Sequence, residues 1–162
     1  MNAKRILFPT DFSHDNDAAL EFASALAVES KALLYIVHVD ELSDLNAALG
    51  EAAYIYAQSP DCTTRRAIRE RLAQVVPTVA GIDYEHHCLT GSPVAELLRF
   101  AERENIDLIV MASHGRTGLS RLLMGSVAEA VVRRAACPVL IVKQPAIAPE
   151  QQGKVGAYVA HT

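Results

Sequence analysis

A glycine and a serine open a helical stretch, directly after a loop that follows an apolar strand. The strand is Leu108–Met111, and Gly125 and Ser126 stand where the helix begins. The first backbone N–H groups of a helix have no intrahelical partner and carry a partial positive charge. A glycine beside them lets a ligand approach the backbone closely. This combination predicts an anion-binding site, and phosphate is the usual anion at such sites.

The first turn of this helix has the pattern of a capping box, Ser126-Val127-Ala128-Glu129. In a capping box the serine hydroxyl accepts the N–H three residues later, and the glutamate reaches back to the serine N–H. We therefore expect Ser126 to cap the helix, which should continue to about Ala136 and stop before Pro138.

Three further polar side chains are candidates for contacts with the same ligand. Asp11 follows a first strand, and its oxygens suit ribose hydroxyls or, through a metal ion, phosphates; its alternative role is a turn or helix cap. Arg116 can pair with a phosphate or simply be solvated. His114 can donate to a phosphate oxygen or to a hydrogen bond that orients its own loop.

Motifs for hydrolytic or metal-dependent chemistry are absent from the sequence. There is no HExxH, no metal-spaced Cys/His set, no Gly-x-Ser-x-Gly elbow and no Walker pattern GxxxxGK[ST]. His86 and His87 are adjacent on a predicted strand, so they point to opposite faces and cannot chelate one metal together. We nominate no catalytic residue and no metal ligand.

Composition narrows the class of protein. A chain of 162 residues with 51% hydrophobic and 21% charged residues fits one globular domain. A net charge of −4 argues against a nucleic-acid partner. No apolar run reaches the length of a membrane span, and the N-terminus does not read as a signal peptide. Cys62, Cys88 and Cys137 are odd in number and widely spaced, which favours reduced thiols in a cytoplasm, with Cys88 and Cys137 as core fillers.

Five short apolar runs alternate with helical stretches, which predicts a parallel α/β sheet. The expected strands are Ile6–Phe8, Leu33–Val39, Ile82–Leu89, Leu108–Met111 and Val139–Val142. The expected helices are 13–29, capped by Ser13, about 64–76, 92–104 with Ser92 as cap and Pro93 at its first position, and 126–136. Polar and apolar residues alternate in Ile82–Leu89, which is typical of a strand near a sheet edge. Residues 40–60 and the tail 145–162 receive no assignment.

Three sequence segments resemble the universal stress protein family. They are Arg5–Ser13, which looks like the family's first strand and loop, then Ser113–Gly118, and Cys137–Val142. The resemblance covers about residues 3–143. The nucleotide-binding branch of this family carries the pattern Gly-x2-Gly-x9-Gly-Ser/Thr. Ala112 stands at its first position here, while Gly115 and Gly125-Ser126 fit.

The resemblance implies a fold and a binding crevice. The fold is an open five-stranded parallel sheet of order 3-2-1-4-5 with helices on both faces, Rossmann-like, in a domain of residues 1–144 followed by the tail 145–162. Ligands of such sheets bind beyond the strand carboxyl ends where the strand order reverses. The loops Pro9–Asp11 and Ala112–Gly125 follow strands one and four, the neighbours at that reversal, so motif and topology indicate the same crevice.

The resemblance also implies the ligand, ATP with Mg²⁺. Val39 would read the adenine edge through its backbone, and Pro9 and Met111 would pack against the base or sugar. The full set of expected binding residues is Pro9, Thr10, Asp11, Val39, Met111, Ala112, His114, Gly115, Arg116, Gly125, Ser126 and Val127.

These inferences predict a cytoplasmic ATP-binding stress-response switch with little or no turnover. Val139–Val142 would be an apolar edge strand, which invites pairing, so we expect a homodimer through it. Two alternatives stay open: a slow ATPase, and a dimeric interaction module that has lost nucleotide binding, which Ala112 favours. A nucleotidyl-transferring enzyme of the same broader fold would need an SGGxDS-like phosphate loop, and the sequence has none. A phosphorelay receiver would need a phosphoacceptor aspartate at the end of strand three, where this sequence has Cys88–Thr90.

Overall fold

The computed structural model describes residues 3–41, 63–113 and 124–143, and within these ranges five parallel strands form one sheet. The strands are β1 Arg5–Pro9, β2 Leu33–Asp40, β3 Tyr84–Thr90, β4 Leu108–Ala112 and β5 Val139–Val142. Their order, β3-β2-β1-β4-β5, confirms the expected one. Residues 42–62 and the tail 145–162 lie outside the described ranges.

Helices cover both faces of this sheet. They are α1 Asp17–Ser30, preceded by a 3-10 turn His14–Asn16, then α2 Thr63–Leu72, α3 Pro93–Arg103 and α4 Ser126–Arg134. One core cluster lies between the sheet and α1 and α2, where Ile6, Phe8 and Leu72 are buried. A second lies between the sheet and α3 and α4. Apolar runs such as β4 are buried on both sides, as expected for central parallel strands.

Helix ends depart from the predicted ones by up to four residues, and α2 ends at Leu72, four residues before the predicted end at Val76. Ser92 is the N-cap of α3 and Pro93 its first residue, as expected, although the Ser92 side chain makes no capping hydrogen bond. Ser13 likewise stands at an N-cap, but of the 3-10 turn, so α1 itself begins only at Asp17. The helix α4 ends at Arg134, two residues before the predicted end, because Ala135 is already extended.

The two edges of the sheet differ in chemistry. Edge strand β3 carries Glu85, His86 and His87, whereas edge strand β5 is entirely apolar. The two histidines face opposite sides as predicted: His86 Nε2 lies 2.7 Å from the Val75 carbonyl, and the His87 ring packs on Phe100. Charged edges resist pairing with other chains, so only β5 has the composition of an edge that invites it.

Two cysteines serve as small core residues. Cys88 and Cys137 are half-buried free thiols, each packed against one of the two core clusters. Burial raises the pKa of both thiols above their ordinary value, and the Asp40 carboxylate adds to this effect at Cys88. Both groups therefore stay protonated near neutral pH, and neither is an activated nucleophile. Cys62 is outside the described residues.

Two kinds of feature are absent from the described ranges. No helix there is long and apolar enough to cross a membrane. No group of three or more His, Cys, Asp or Glu side chains there is arranged to hold a metal ion.

Candidate functional site

The carboxyl ends of β1, β2 and β4 border a cavity of about 300 Å³, and the first residues of α3 and α4 close it. This volume lies at the lower end of the range of small-molecule sites, about 300–1,000 Å³. Nine of the twelve expected binding residues line it: Pro9, Thr10, Asp11, Val39, Met111, Ala112, Gly125, Ser126 and Val127. The other three, His114, Gly115 and Arg116, fall outside the described residues.

The start of α4 differs from the predicted capping box. Gly125, not Ser126, is the N-cap, and its carbonyl accepts the Glu129 N–H at 2.9 Å. The Gly125 N–H donates to the Ser113 carbonyl at 2.8 Å, which fixes the point where the helix begins. Since Ser126 is already helical, its hydroxyl does not cap the turn. Within the described ranges, no side chain caps the first N–H groups of α4, which border the cavity.

Gly125 occupies a backbone conformation that any residue adopts, with φ −62° and ψ 148°. A glycine is therefore not needed here for a left-handed turn. What a glycine does provide at this position is space, since a Cβ would stand beside the N–H groups of the first helical turn.

The loop after β1 places Asp11 in the cavity through a tight turn. The Thr10 N–H donates to the Val37 carbonyl at 2.8 Å, which anchors the loop to β2. The Ser13 N–H donates to Asp11 Oδ1 at 2.9 Å. Phe12 between them has φ +64°, a left-handed conformation that costs a non-glycine residue energy. The alternative role of Asp11 as a turn residue is thus observed, and the same side chain lines the cavity.

Two side chains pack on Phe12 and support this strained turn. The Phe12 ring centroid lies 4.2 Å from that of the His38 ring and 4.6 Å from the Arg71 guanidinium carbon. Arg71 also donates to the Phe12 carbonyl, and His38 Nδ1 lies 2.8 Å from the Thr10 carbonyl. Because a carbonyl only accepts, Nδ1 carries the proton. These two side chains therefore hold the turn from β2 and from α2 at once.

The cavity is lined by an apolar wall and by polar groups. Val39, Leu97 and Met111 belong to the core cluster beneath α3 and α4 and form the apolar wall. The Asp11 carboxylate and the backbone N–H groups at the start of α4 are among the polar groups. A cavity of this kind can accept a flat apolar ring against its wall and an anion at its polar groups.

Sequence reasoning did not identify several lining residues. They are Asn16, Val37, His38, Glu41, Pro93, Leu97 and Ala128. Pro93 and Leu97 had an available signal, because α3 follows β3 and so begins at the same edge of the sheet as the predicted crevice. Asn16 and His38 had no comparable signal, since their contacts exist only in the folded loop.

Comparison with known proteins identifies the family. The family model "Universal stress protein family" matches residues 2–143. Universal stress protein MJ0531 of Methanocaldococcus jannaschii is 35% identical over 144 residues, which cover 88% of this chain and 83% of that protein.

Two solved structures share the architecture. The universal stress protein UspA from Lactobacillus plantarum has 27% identity and a TM-score of 0.68, covering 88% of this chain and 99% of that one. A universal stress protein in complex with cAMP has 26% identity and a TM-score of 0.57, covering 88% and 98%. The fold, the sequence motifs and these matches agree: the chain belongs to the universal stress protein family.

Proposed function

We propose that the domain of residues 1–144 binds ATP with Mg²⁺ in this cavity and acts as a cytoplasmic stress-response switch with little or no turnover. One observation carries the proposal: an apolar wall, the Asp11 carboxylate and the first helix N–H groups of α4, which no side chain of the described residues caps, border a single cavity. A structure of a relative holds cAMP, so a member of the family accommodates an adenine nucleotide.

Each part of the cavity suits one part of ATP. The apolar wall suits the adenine ring, with the Val39 backbone as reader of its edge, and the first turn of α4 suits the phosphates. Asp11 suits the ribose. Mg²⁺ in nucleotide sites is held by phosphate oxygens, water and one or two carboxylates. Asp11 and Glu41 are the carboxylates that line the described part of the cavity. Two carboxylates match the number expected for Mg²⁺ that binds together with the nucleotide phosphates.

The alternative of an interaction module without nucleotide binding depended on Ala112. The Ala112 side chain is 5% exposed and packs in the core cluster beneath α1. Ala112 also lines the cavity, but its side chain packs in the core, so the replacement of the family's glycine gives no reason to expect a blocked phosphate site.

Calorimetry with MgATP tests the proposal directly. We expect saturable binding at one site per chain. Mass spectrometry of material released by acid from freshly purified protein should identify an adenine nucleotide. Absence of binding by MgATP, ADP and AMP alike, in protein that is folded by circular dichroism, would instead support the interaction module.

We expect ATP turnover to be slower than about 1 s⁻¹, the low end of ordinary enzyme rates. Phosphoryl transfer needs an oriented nucleophile and positioned charge around the γ-phosphate. Only Arg116, His114 and a metal ion are candidates for these roles. Steady-state release of phosphate should therefore be slow and should change little in His114→Ala. A rate of 1 s⁻¹ or more that disappears in this variant would favour the enzyme instead.

We also infer that two copies pair through β5. The Pro138 carbonyl accepts from the N–H of Ile109 on β4, and the Val142 carbonyl from the N–H of Ser113, the residue after β4, both at 3.0 Å. Since backbone groups alternate along a strand, the N–H and C=O groups of Val139 and Ile141 point away from β4. In the described part of the chain, no strand pairs with this outer edge. A two-fold partner that pairs the same strand antiparallel would satisfy these groups.

A further inference from the structure

The Asn16 side chain forms a hydrogen bond with the Asp11 carboxylate. Asn16 is the N-cap of α1 and is 8% exposed, yet its side chain makes no capping hydrogen bond. Asparagine is favoured at N-caps because its side-chain oxygen accepts a backbone N–H of the first turn. Here the amide nitrogen instead points back and donates to Asp11 Oδ1 at 2.5 Å. Asn16 already has a helical backbone conformation, φ −83° and ψ −14°, as the last residue of the 3-10 turn, so its side chain is free to contact a cavity carboxylate rather than the first turn of α1.

The contacts around Asn16 define its orientation. Its Nδ2 also lies 3.1 Å from Ser13 Oγ and 3.4 Å from the Ser13 carbonyl. An amide turned by 180° would place its oxygen against the Asp11 carboxylate and against that carbonyl, so only one orientation is compatible with the partners. Asp11 Oδ1 is then held by two donors, the Ser13 N–H and the Asn16 amide.

This arrangement fixes the direction of the Asp11 carboxylate. A free aspartate side chain rotates about two bonds, whereas two donors on one oxygen hold it in one rotamer. Asp11 and Asn16 both line the cavity. The orientation of this acceptor is therefore set before any ligand arrives, which lowers the entropy cost of a hydrogen bond to it.

We propose that Asn16 is a positioning residue that aims Asp11 at the ribose hydroxyls and so makes the site selective for ribonucleotides. The proposal rests on nucleotide binding in this cavity, as proposed above. Asn16 acts through Asp11 and not on the ligand itself. A site built to bind a hydroxyl rejects the analogue that lacks it, because its acceptor is then left without that partner.

The test compares the affinity of MgATP with that of its 2′,3′-dideoxy analogue. We expect the wild-type protein to prefer ATP by about tenfold or more, the value of one hydrogen bond to a charged acceptor. Asn16→Leu keeps the size of the side chain and removes the donor. It should reduce this preference to about twofold or less, through weaker ATP binding and nearly unchanged binding of the analogue.

Double variants separate positioning from a loss of structure. If Asn16 acts through Asp11, then Asn16→Leu should not change the preference further in an Asp11→Ala background. Ser24→Ala is the matched control: it removes a buried polar group of α1, which contacts Leu20 and Thr78 away from the cavity, and should leave the preference unchanged. Equal weakening of both nucleotides by Asn16→Leu would mean a merely structural role and would overturn the proposal.

The comparison of ATP with its dideoxy analogue in the wild-type protein does not depend on the folding of any variant. It also distinguishes failure of the role of Asn16 from failure of nucleotide binding itself. ATP bound without preference over the dideoxy analogue would overturn the role of Asn16 and leave nucleotide binding intact. Failure of both nucleotides to bind would overturn the proposed function and, with it, the role of Asn16.

Discussion

Gly125→Val is expected to lower the affinity for MgATP by at least about 100-fold, the loss of roughly two hydrogen bonds to charged phosphate oxygens. Valine adopts the observed φ of −62° and ψ of 148° without strain, so the fold should be preserved. Its branched side chain would stand beside the N–H groups of Ser126 and Val127 at the start of α4 and keep the phosphates away from them. Calorimetry measures the affinity, and thermal unfolding verifies the fold.

Ala112→Gly is the matched control for this experiment. It changes the other small residue of the family's phosphate pattern, but in the core beneath α1. Binding should be unchanged or slightly stronger. Stability should fall by about 0.5–1 kcal/mol, the cost of a glycine inside a strand. Full-strength binding by Gly125→Val would show that the phosphates do not lie against the first turn of α4.

Ile141→Lys is expected to convert a dimer into monomers. Two-fold antiparallel pairing through β5 brings equivalent residues of both copies close together, so the variant would bring two lysine charges into one interface. The lysine stem can still cover part of the core surface that isoleucine covers, so the monomer should remain folded. Sizing chromatography with light scattering measures the change in mass.

A second variant covers the case in which Ile141→Lys is insoluble. Ile141→Pro removes an N–H that points away from β4, so it leaves the β4 ladder intact and blocks only the outer edge. Ile141→Val keeps both the N–H and the apolar surface and should stay dimeric. A wild-type protein that is monomeric at high micromolar concentration would exclude this dimer and favour the tail, residues 145–162, as the cover of the edge.

The sheet could be predicted almost completely because its signals are local or shared by the family. Val139–Val142 was predicted with its observed bounds, and the other strands within one or two residues. Buried strands are continuous apolar runs, and the polar alternation of Ile82–Leu89 indicated an edge, where β3 lies. The order of strands came from the family resemblance, since hydrophobic pattern alone does not determine which strands are neighbours.

The site was harder to predict where contacts depend on the folded loop. The Ser126–Glu129 pattern satisfied the rule for a capping box, but the hydrogen bond from Gly125 to Ser113 starts the helix one residue earlier than the rule requires. That bond joins residues twelve apart, so no local pattern shows it. Asn16 resembled an ordinary polar residue near a helix start. Its contact with Asp11 requires the left-handed turn at Phe12, and phenylalanine is not a residue type that indicates such a turn.

The hydrogen bond between the Gly125 N–H and the Ser113 carbonyl uses backbone groups only. Ser113 is also tied to β5, because its N–H donates to the Val142 carbonyl. These bonds join the end of β4, the end of β5 and the start of α4 without any side chain. The side chains at Ser113 and Ser126 can therefore be exchanged during evolution while the junction that holds this side of the cavity is kept.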